Sequence, residues 1–302
     1  MLPHFDLGLN DILQFAPLDF ISTGLPIYSP RAEIDRAKDK YDKDWVYVNR
    51  YTGLAYGFKS SLWNGVLGIG GAEGLYRTVD SFLNLSISGG TEKAILDLGC
   101  GVGRTIYDCA PIHPHSLFVG MDFAYNMCTR AKEILLDGAT LSLDGSDKDK
   151  LDEGWAGRGF PALVFDDSLV LGNVKILQGS ATKLPFKPGS FDCVVSTLLL
   201  DRIKDPSLPA AEDIAQAVTE MVRVLKRGGR LVLSTPLNFT RLADWSRFRN
   251  PDGIVSLLRQ NRFLIREAFD GLVYRELQDA RGNYEEWVIF FVWAEKLGDE
   301  GD

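Results

Sequence analysis

Glu92-Lys-Ala-Ile-Leu-Asp-Leu-Gly-Cys-Gly-Val-Gly-Arg-Thr105 is the stretch on which the reading of the whole chain depends. Ala94 to Leu98 is a short apolar run of strand length, and it enters a turn carrying Gly99, Gly101 and Gly103. Arg104-Thr-Ile-Tyr-Asp-Cys-Ala110 follows as the start of a helix, which Pro111 stops. Strand, glycine turn and helix in that order make the nucleotide-binding corner of an open α/β sheet. Glycines let the backbone approach a ligand with no Cβ in the way, and a helix start offers N–H groups. The dinucleotide fingerprint Gly-x-Gly-x-x-Gly does not fit, because its third glycine, counted from Gly99, would fall on Arg104. The pattern present is Asp97-x-Gly99-x-Gly101-x-Gly103.

Downstream, Leu117-Phe-Val-Gly-Met-Asp122 reads as a second strand ending in a carboxylate that can grip two ribose hydroxyls. Phe123 follows it, where it can cover a base, and Tyr125 to Leu136 continues as a helix ended by Asp137-Gly138. A third strand lies in Asn173-Val-Lys-Ile-Leu-Gln-Gly-Ser-Ala-Thr-Lys-Leu-Pro-Phe186, and a fourth in Ser190-Phe-Asp-Cys-Val-Val-Ser-Thr197. Asp213 to Leu225 has apolar residues at three- and four-residue spacing and reads as a helix. Val224-Leu-Lys-Arg-Gly-Gly-Arg-Leu-Val-Leu-Ser-Thr-Pro236 turns through its glycines into a fifth strand. A helix over Asp252–Gln260, a strand within Arg262–Leu277 and a long apolar strand over Glu286–Lys296 complete the pattern.

These motifs, in this order, resemble those of class I S-adenosylmethionine-dependent methyltransferases, over roughly residues 85–296. The small-molecule enzymes of ubiquinone and menaquinone biosynthesis look most alike. The resemblance implies a Rossmann-like α/β fold with a seven-stranded, mostly parallel sheet, a reversed last strand, helices on both faces and an N-terminal helical cap. It also implies S-adenosyl-L-methionine as cofactor, with Asp97, Gly99, Cys100, Gly101, Gly103, Asp122, Phe123, Met127, Ser180, Ala181, Thr197 and Leu198 as its binding set. Two positions depart from the family pattern: Ser180 stands where an acid usually meets the adenine amino group, and Arg227 replaces a proline. A neutral hydroxyl bonds more weakly than a carboxylate. The activity implied is in-line methyl transfer to a small, partly apolar metabolite. The alternatives are a protein that uses the pocket without methylating (a cyclase or sensor), or a protein or nucleic-acid methyltransferase. Tyr51, Tyr56 and Asp201 are the candidate general bases.

The domain reading is a cap or lid over residues 1–80 and a cofactor-binding domain over 81–302, with an insertion at about 138–172. Before the first strand, Ser29 to Tyr41 and Gly74 to Leu85 read as helices. The aromatic and glycine-rich residues 46–70 between them either pack a helical layer on the sheet or face the substrate. Within the insertion, Ala162–Phe165 and Ser168–Leu171 suggest a small hairpin. Six arginines between 241 and 266 form either a solvated face or an anion-recognition patch.

Composition sets outer bounds. The 302 residues are 45% hydrophobic and 25% charged, an ordinary globular balance, and the formal charge of −8 argues against general affinity for nucleic acid. Cys100, Cys109, Cys128 and Cys193 show no paired spacing and read as reduced core or turn residues. His113-Pro-His115 lacks a third ligand nearby, so no metal is expected. Neither a leader peptide nor an apolar run of spanning length is evident, so the expected location is cytoplasmic.

Overall fold

In a computed structural model of the chain, the described residues are 8–20, 24–29, 42, 45–56, 72–88, 92–138, 140–141, 163–164, 171–277 and 284–298. The helices are α1 (Leu9–Ile12), α2 (Trp45–Tyr56), α3 (Ala72–Ile87), α4 (Arg104–Cys109), α5 (Tyr125–Lys132), α6 (Glu212–Val224), α7 (Leu242–Phe248) and α8 (Pro251–Gln260). The strands are β1 (Asp19–Phe20), β2 (Pro26–Ile27), β3 (Ala94–Leu98), β4 (Leu117–Asp122), β5 (Thr140–Leu141), β6 (Leu163–Val164), β7 (Val174–Gln178), β8 (Phe191–Thr197), β9 (Leu225–Thr235), β10 (Phe263–Leu277) and β11 (Tyr284–Lys296).

All five residues of β3 are buried, as a strand covered on both faces requires. It pairs in parallel with β4 on one side and β8 on the other. Across the whole sheet the order is β1-β2-β7-β4-β3-β8-β9-β11-β10, with β11 antiparallel to both β9 and β10. From β7 to β10 this is a doubly wound sheet whose chain reverses direction of travel at β3, and ligands bind beyond the carboxyl ends of strands at such a point. The reversed strand expected over Glu286–Lys296 is β11.

Two apolar layers hold the sheet. One face carries Leu75, Val79 and Leu83 of α3 against Ile95, Cys193, Val195 and Phe291; the other carries Ile214, Ala217, Val218 and Met221 of α6 against Leu96, Val194 and Leu233. The three- and four-residue spacing read from the sequence is thus the buried stripe of α6. Pro251 opens α8 in its first turn, and the Asn250 side chain caps it by accepting from the Gly253 N–H at 3.2 Å.

The sheet has nine strands among the described residues, not seven, because residues 8–29 belong to it in part. Ile27 pairs with Gln178 on the outer edge of β7, Tyr28 N–H donates to the Gln178 carbonyl at 2.9 Å, and Leu18 N–H donates to Ile27. The edge of β7 carries unpaired backbone groups that these residues satisfy. The segment before residue 80 is therefore partly sheet as well as helical cover. In the insertion, Leu163–Val164 pairs with Thr140–Leu141, and most of 138–172, including most of the second half of the expected hairpin, lies outside the described residues. So does most of the helix expected over Ser29–Tyr41.

Candidate active site

Gly99, Gly101 and Gly103 all have left-handed backbone, with φ of +78°, +53° and +83°, which a residue with a Cβ adopts only under strain. Space is as tight as geometry: a Cβ on Gly103 would lie 2.6 Å from Leu135 Cδ1, and one on Gly99 would lie 2.9 Å from Leu199 Cδ1. The turn is pinned to the next strand by Asp122. Its Oδ2 accepts from Gly101 N–H at 2.9 Å and its Oδ1 accepts from Ala124 N–H at 2.8 Å. The carboxylate that the spacing placed at the end of the second strand thus touches the glycine turn directly.

A cleft opens over the turn, lined by Tyr51, Tyr76, Asp97, Gly99, Cys100, Val102, Arg104, Thr105 and Thr197. Asp97 is 3% exposed, and burial first, then the Asp122 and Asp80 carboxylates, pushes its pKa up to about 8. Arg104 is buried, pairs with Asp108 at 2.5 Å, donates to the Ala55 carbonyl of α2, and lies 4.9 Å from the Tyr76 ring centroid. The Tyr56 hydroxyl donates to the Val102 carbonyl at 2.9 Å, and burial raises its pKa well above the ordinary phenol value. Helix α2 is therefore docked onto the glycine turn by Tyr56 and Arg104, and Tyr51 lies over Gly101.

The sequence-derived residues divide between the cleft wall and its surroundings. Tyr51, Asp97, Gly99, Cys100 and Thr197 share the cleft, and Gly101 and Gly103 shape the turn beneath it. Met127 is 3% exposed and packs in the core. Half-buried Phe123 accepts a 2.9 Å bond from Gln178 Nε2 at its carbonyl, and Ala181 packs against the opposite layer. Leu198 has φ +56°, unusual for a residue with a branched side chain, and reverses the chain at the end of β8. Asp201 sits in the turn Leu200–Arg202; burial raises its pKa to about 6, partly offset by Arg202 at 3.2 Å. Tyr76, Val102, Arg104 and Thr105 were not singled out from the sequence; Arg104, standing where a glycine would complete the dinucleotide pattern, was the one visible signal.

Ser180, the departure from the family pattern, sits in a hydrogen-bonded relay. Burial would raise the Asp205 carboxyl, but hydrogen bonds from Ser207 and Thr182 outweigh it and hold the pKa below the usual carboxylate range. The ionised Asp205 can only accept, so the Thr182 hydroxyl donates to Oδ2 at 2.5 Å. Thr182 Oγ1 then accepts from the Ser180 hydroxyl at 2.8 Å. Ser180 Oγ is left as an acceptor, polarised by a carboxylate two bonds away.

Elsewhere, Arg241 is held by both oxygens of Asp213 at 2.7 Å and by Asp244, and Arg266 pairs with Glu295. Arg241 and Arg266 are thus committed to ion pairs within the fold. His113 pairs with Asn84 at 2.7 Å. Among the described residues, no helix is long and apolar enough to cross a membrane.

A glycine turn pinned by the acid of the next strand, at the switch point of a sheet whose last strand is reversed, defines the Rossmann-like class I methyltransferase fold. Comparison with known proteins agrees. Residues 162–233 match the family described as a methyltransferase domain. The chain is 30% identical over 143 residues to the demethylmenaquinone methyltransferase of Lactococcus lactis, covering 47% of this chain and 41% of that one. It is 40% identical over 75 residues to the ubiquinone/menaquinone biosynthesis C-methyltransferase UbiE of Saccharophagus degradans, covering 25% and 26%. These alignments span less than half the length of either relative. Among solved structures, the YcgJ protein of Bacillus subtilis aligns with a TM-score of 0.47 at 17% identity, covering 74% of this chain and 100% of that one. The likeness to class I S-adenosylmethionine-dependent methyltransferases of the quinone-biosynthesis type is thus borne out, and S-adenosylmethionine is the cofactor that it implies.

Proposed function

We propose that the protein is an S-adenosylmethionine-dependent methyltransferase acting on a small, partly apolar metabolite. The observation that carries this reading is the turn of three left-handed glycines joined to Asp122 at the switch point of the sheet. In this reading Gly99 to Gly103 admit the cofactor backbone to backbone, Asp122 takes the ribose hydroxyls, and Ser180 accepts from the adenine amino group. Asp97 faces the amino-acid end. S-adenosylmethionine, when bound, supplies a methyl group already activated by its sulfonium.

The protein's own contribution is then alignment and exclusion of water, effects that can amount to roughly 7–11 kcal/mol. Tyr51 covers the turn, and the contacts of Tyr56 and Arg104 hold its helix there. Where the acceptor's nucleophile must lose a proton, Tyr51 is our choice of base, because of the three candidates it is the one that lines the cleft, whereas the Asp201 side chain is fully buried. The hydroxyl of Tyr56 is already engaged with Val102. Leu198 and Leu199 follow β8 half-buried, and their apolar side chains suit an apolar acceptor, whereas Leu200 is fully buried.

Titration calorimetry with S-adenosylhomocysteine and with NAD tests the pocket, and transfer of radiolabelled methyl from S-adenosylmethionine to naphthoquinol acceptors tests the chemistry. Binding of the first ligand but not of NAD, with label appearing on the acceptor, is the expected result. Binding of NAD alone would overturn the reading.

A further inference from the structure

Gln178 is the last residue of β7, and it is fully buried where β7 meets both its neighbours. It is the register partner of Asp122 on β4 and of Ile27 on β2. A buried amide needs partners at both its ends, and this one finds them far away in the sequence. Its Nε2 donates to the Phe123 carbonyl at 2.9 Å, and its Oε1 accepts from the Ser29 N–H at 3.2 Å. Those partners fix the orientation of the amide, because a flip would set oxygen against oxygen and NH2 against N–H.

The Phe123 carbonyl belongs to the same peptide group as the Ala124 N–H, which donates to Asp122 Oδ1 at 2.8 Å. That one peptide plane is therefore gripped from two sides, by Gln178 at its oxygen and by Asp122 at its nitrogen. The other oxygen of Asp122 accepts from the Gly101 N–H at 2.9 Å. An unbroken line of hydrogen bonds thus runs from Ser29 through Gln178, the Phe123–Ala124 peptide and Asp122 to the glycine turn. A donor at a peptide carbonyl polarises the N–H of the same group, so each bond strengthens the next.

We infer that Gln178 is a positioning residue for the cofactor. It holds the Phe123–Ala124 peptide, and through it the Asp122 carboxylate, in the orientation that receives the ribose. It also makes the seating of residues 26–29 on the sheet edge part of the cofactor site. Gln178 is outside the cleft lining, so its effect on the ligand passes through Asp122 and its loop. This inference rests on the proposed function for the ligand that Asp122 receives, and the test separates the two.

Gln178→Met keeps the length of the side chain and removes both polar ends. S-adenosylhomocysteine is titrated calorimetrically into the full chain as wild type, Gln178→Met, Asp122→Asn and the double variant. Gln178→Met should bind about fivefold to tenfold more weakly than wild type. In the Asp122→Asn background the same substitution should cost less than about twofold, because the carboxylate it positions is gone. Losses that multiply across the two sites, or a Gln178→Met affinity within twofold of wild type, overturn the inference.

A second measurement needs no variant. Coupling is reciprocal, so a ligand whose site is tied to residues 26–29 holds them in place in turn. In wild type, saturating S-adenosylhomocysteine should slow amide exchange at Ser29 at least about fivefold more than at Leu297, whose N–H donates to the Arg262 carbonyl at the opposite edge of the sheet. Equal slowing at both amides overturns the coupling even where the variants do not fold. Wild type that binds no S-adenosylhomocysteine at all would refute the proposed function, and the inference with it.

Discussion

Asp122→Asn is the perturbation that tests the site most sharply, because it changes one atom and leaves the shape alone. In the native turn both carboxylate oxygens accept backbone N–H groups, Gly101 at 2.9 Å and Ala124 at 2.8 Å. An asparagine has one oxygen, so whichever way the amide turns, its NH2 group faces one of those two N–H donors. The loss is one hydrogen bond to a charged acceptor, worth about 1.5–3 kcal/mol. Asp122 is only half-buried, so water offsets part of it, and a value of about 2 kcal/mol is reasonable. For a chain of this size that lowers the unfolding midpoint by about 4 °C. If the same carboxylate also takes the ribose hydroxyls, affinity for S-adenosylhomocysteine falls at least tenfold, equivalent to about 1.4 kcal/mol. Thermal denaturation followed by circular dichroism and calorimetric titration read the two effects separately. A variant with an unchanged midpoint and affinity within twofold of wild type would refute both the pinning of the turn and the ribose assignment.

The relay through Ser180 makes a second prediction. Asp205 Oδ1 already accepts from Ser207 N–H and Oγ, so in Asp205→Asn the remaining amide oxygen stays there and the NH2 group faces Thr182. Thr182 then turns its proton toward Ser180, and Ser180 turns its own outward, from acceptor to donor. S-adenosylhomocysteine affinity should fall about tenfold while S-inosylhomocysteine, whose base carries a carbonyl in place of the amine, gains; equal losses for both would rule the relay out. The third concerns pH. Asp97 is raised by burial and neighbouring carboxylates to about 8, so the folded protein holds its proton where the unfolded chain has released it. Its contribution to stability is therefore largest below the unfolded value near 4 and declines as pH rises toward about 8. Asp97→Asn should flatten the fall in unfolding midpoint between pH 6 and pH 8, and an unaltered slope would show that Asp97 is not the group responsible.

Much of this was legible in the sequence, for a physical reason: the elements that position the site are local. Four apolar residues and Asp97, followed by three alternating glycines, specify strand and turn over ten positions, and the apolar stripe of Asp213 to Leu225 specifies its helix in the same way. What escaped was non-local. Nothing near Ser180 announces that Asp205, folded back across 23 residues from Thr182, supplies the charge missing from its own position. Arg104 looked like the end of a glycine motif, and its role in gripping α2 depends on Ala55, 49 residues away. Asp19–Phe20 and Pro26–Ile27 are too short to announce strands, yet the open edge of β7 recruited them.

That recruitment bears on how the protein can be cut. A fragment begun near residue 80, as the domain reading from the sequence invites, would keep the cofactor strands but uncover the edge of β7, where Gln178 now meets Ile27 and Tyr28. The bare edge is a template for pairing with another copy. Such a fragment would be expected to associate edge to edge and come out of solution, so loss of activity on trimming the first 29 residues would report self-association before it reported anything about catalysis.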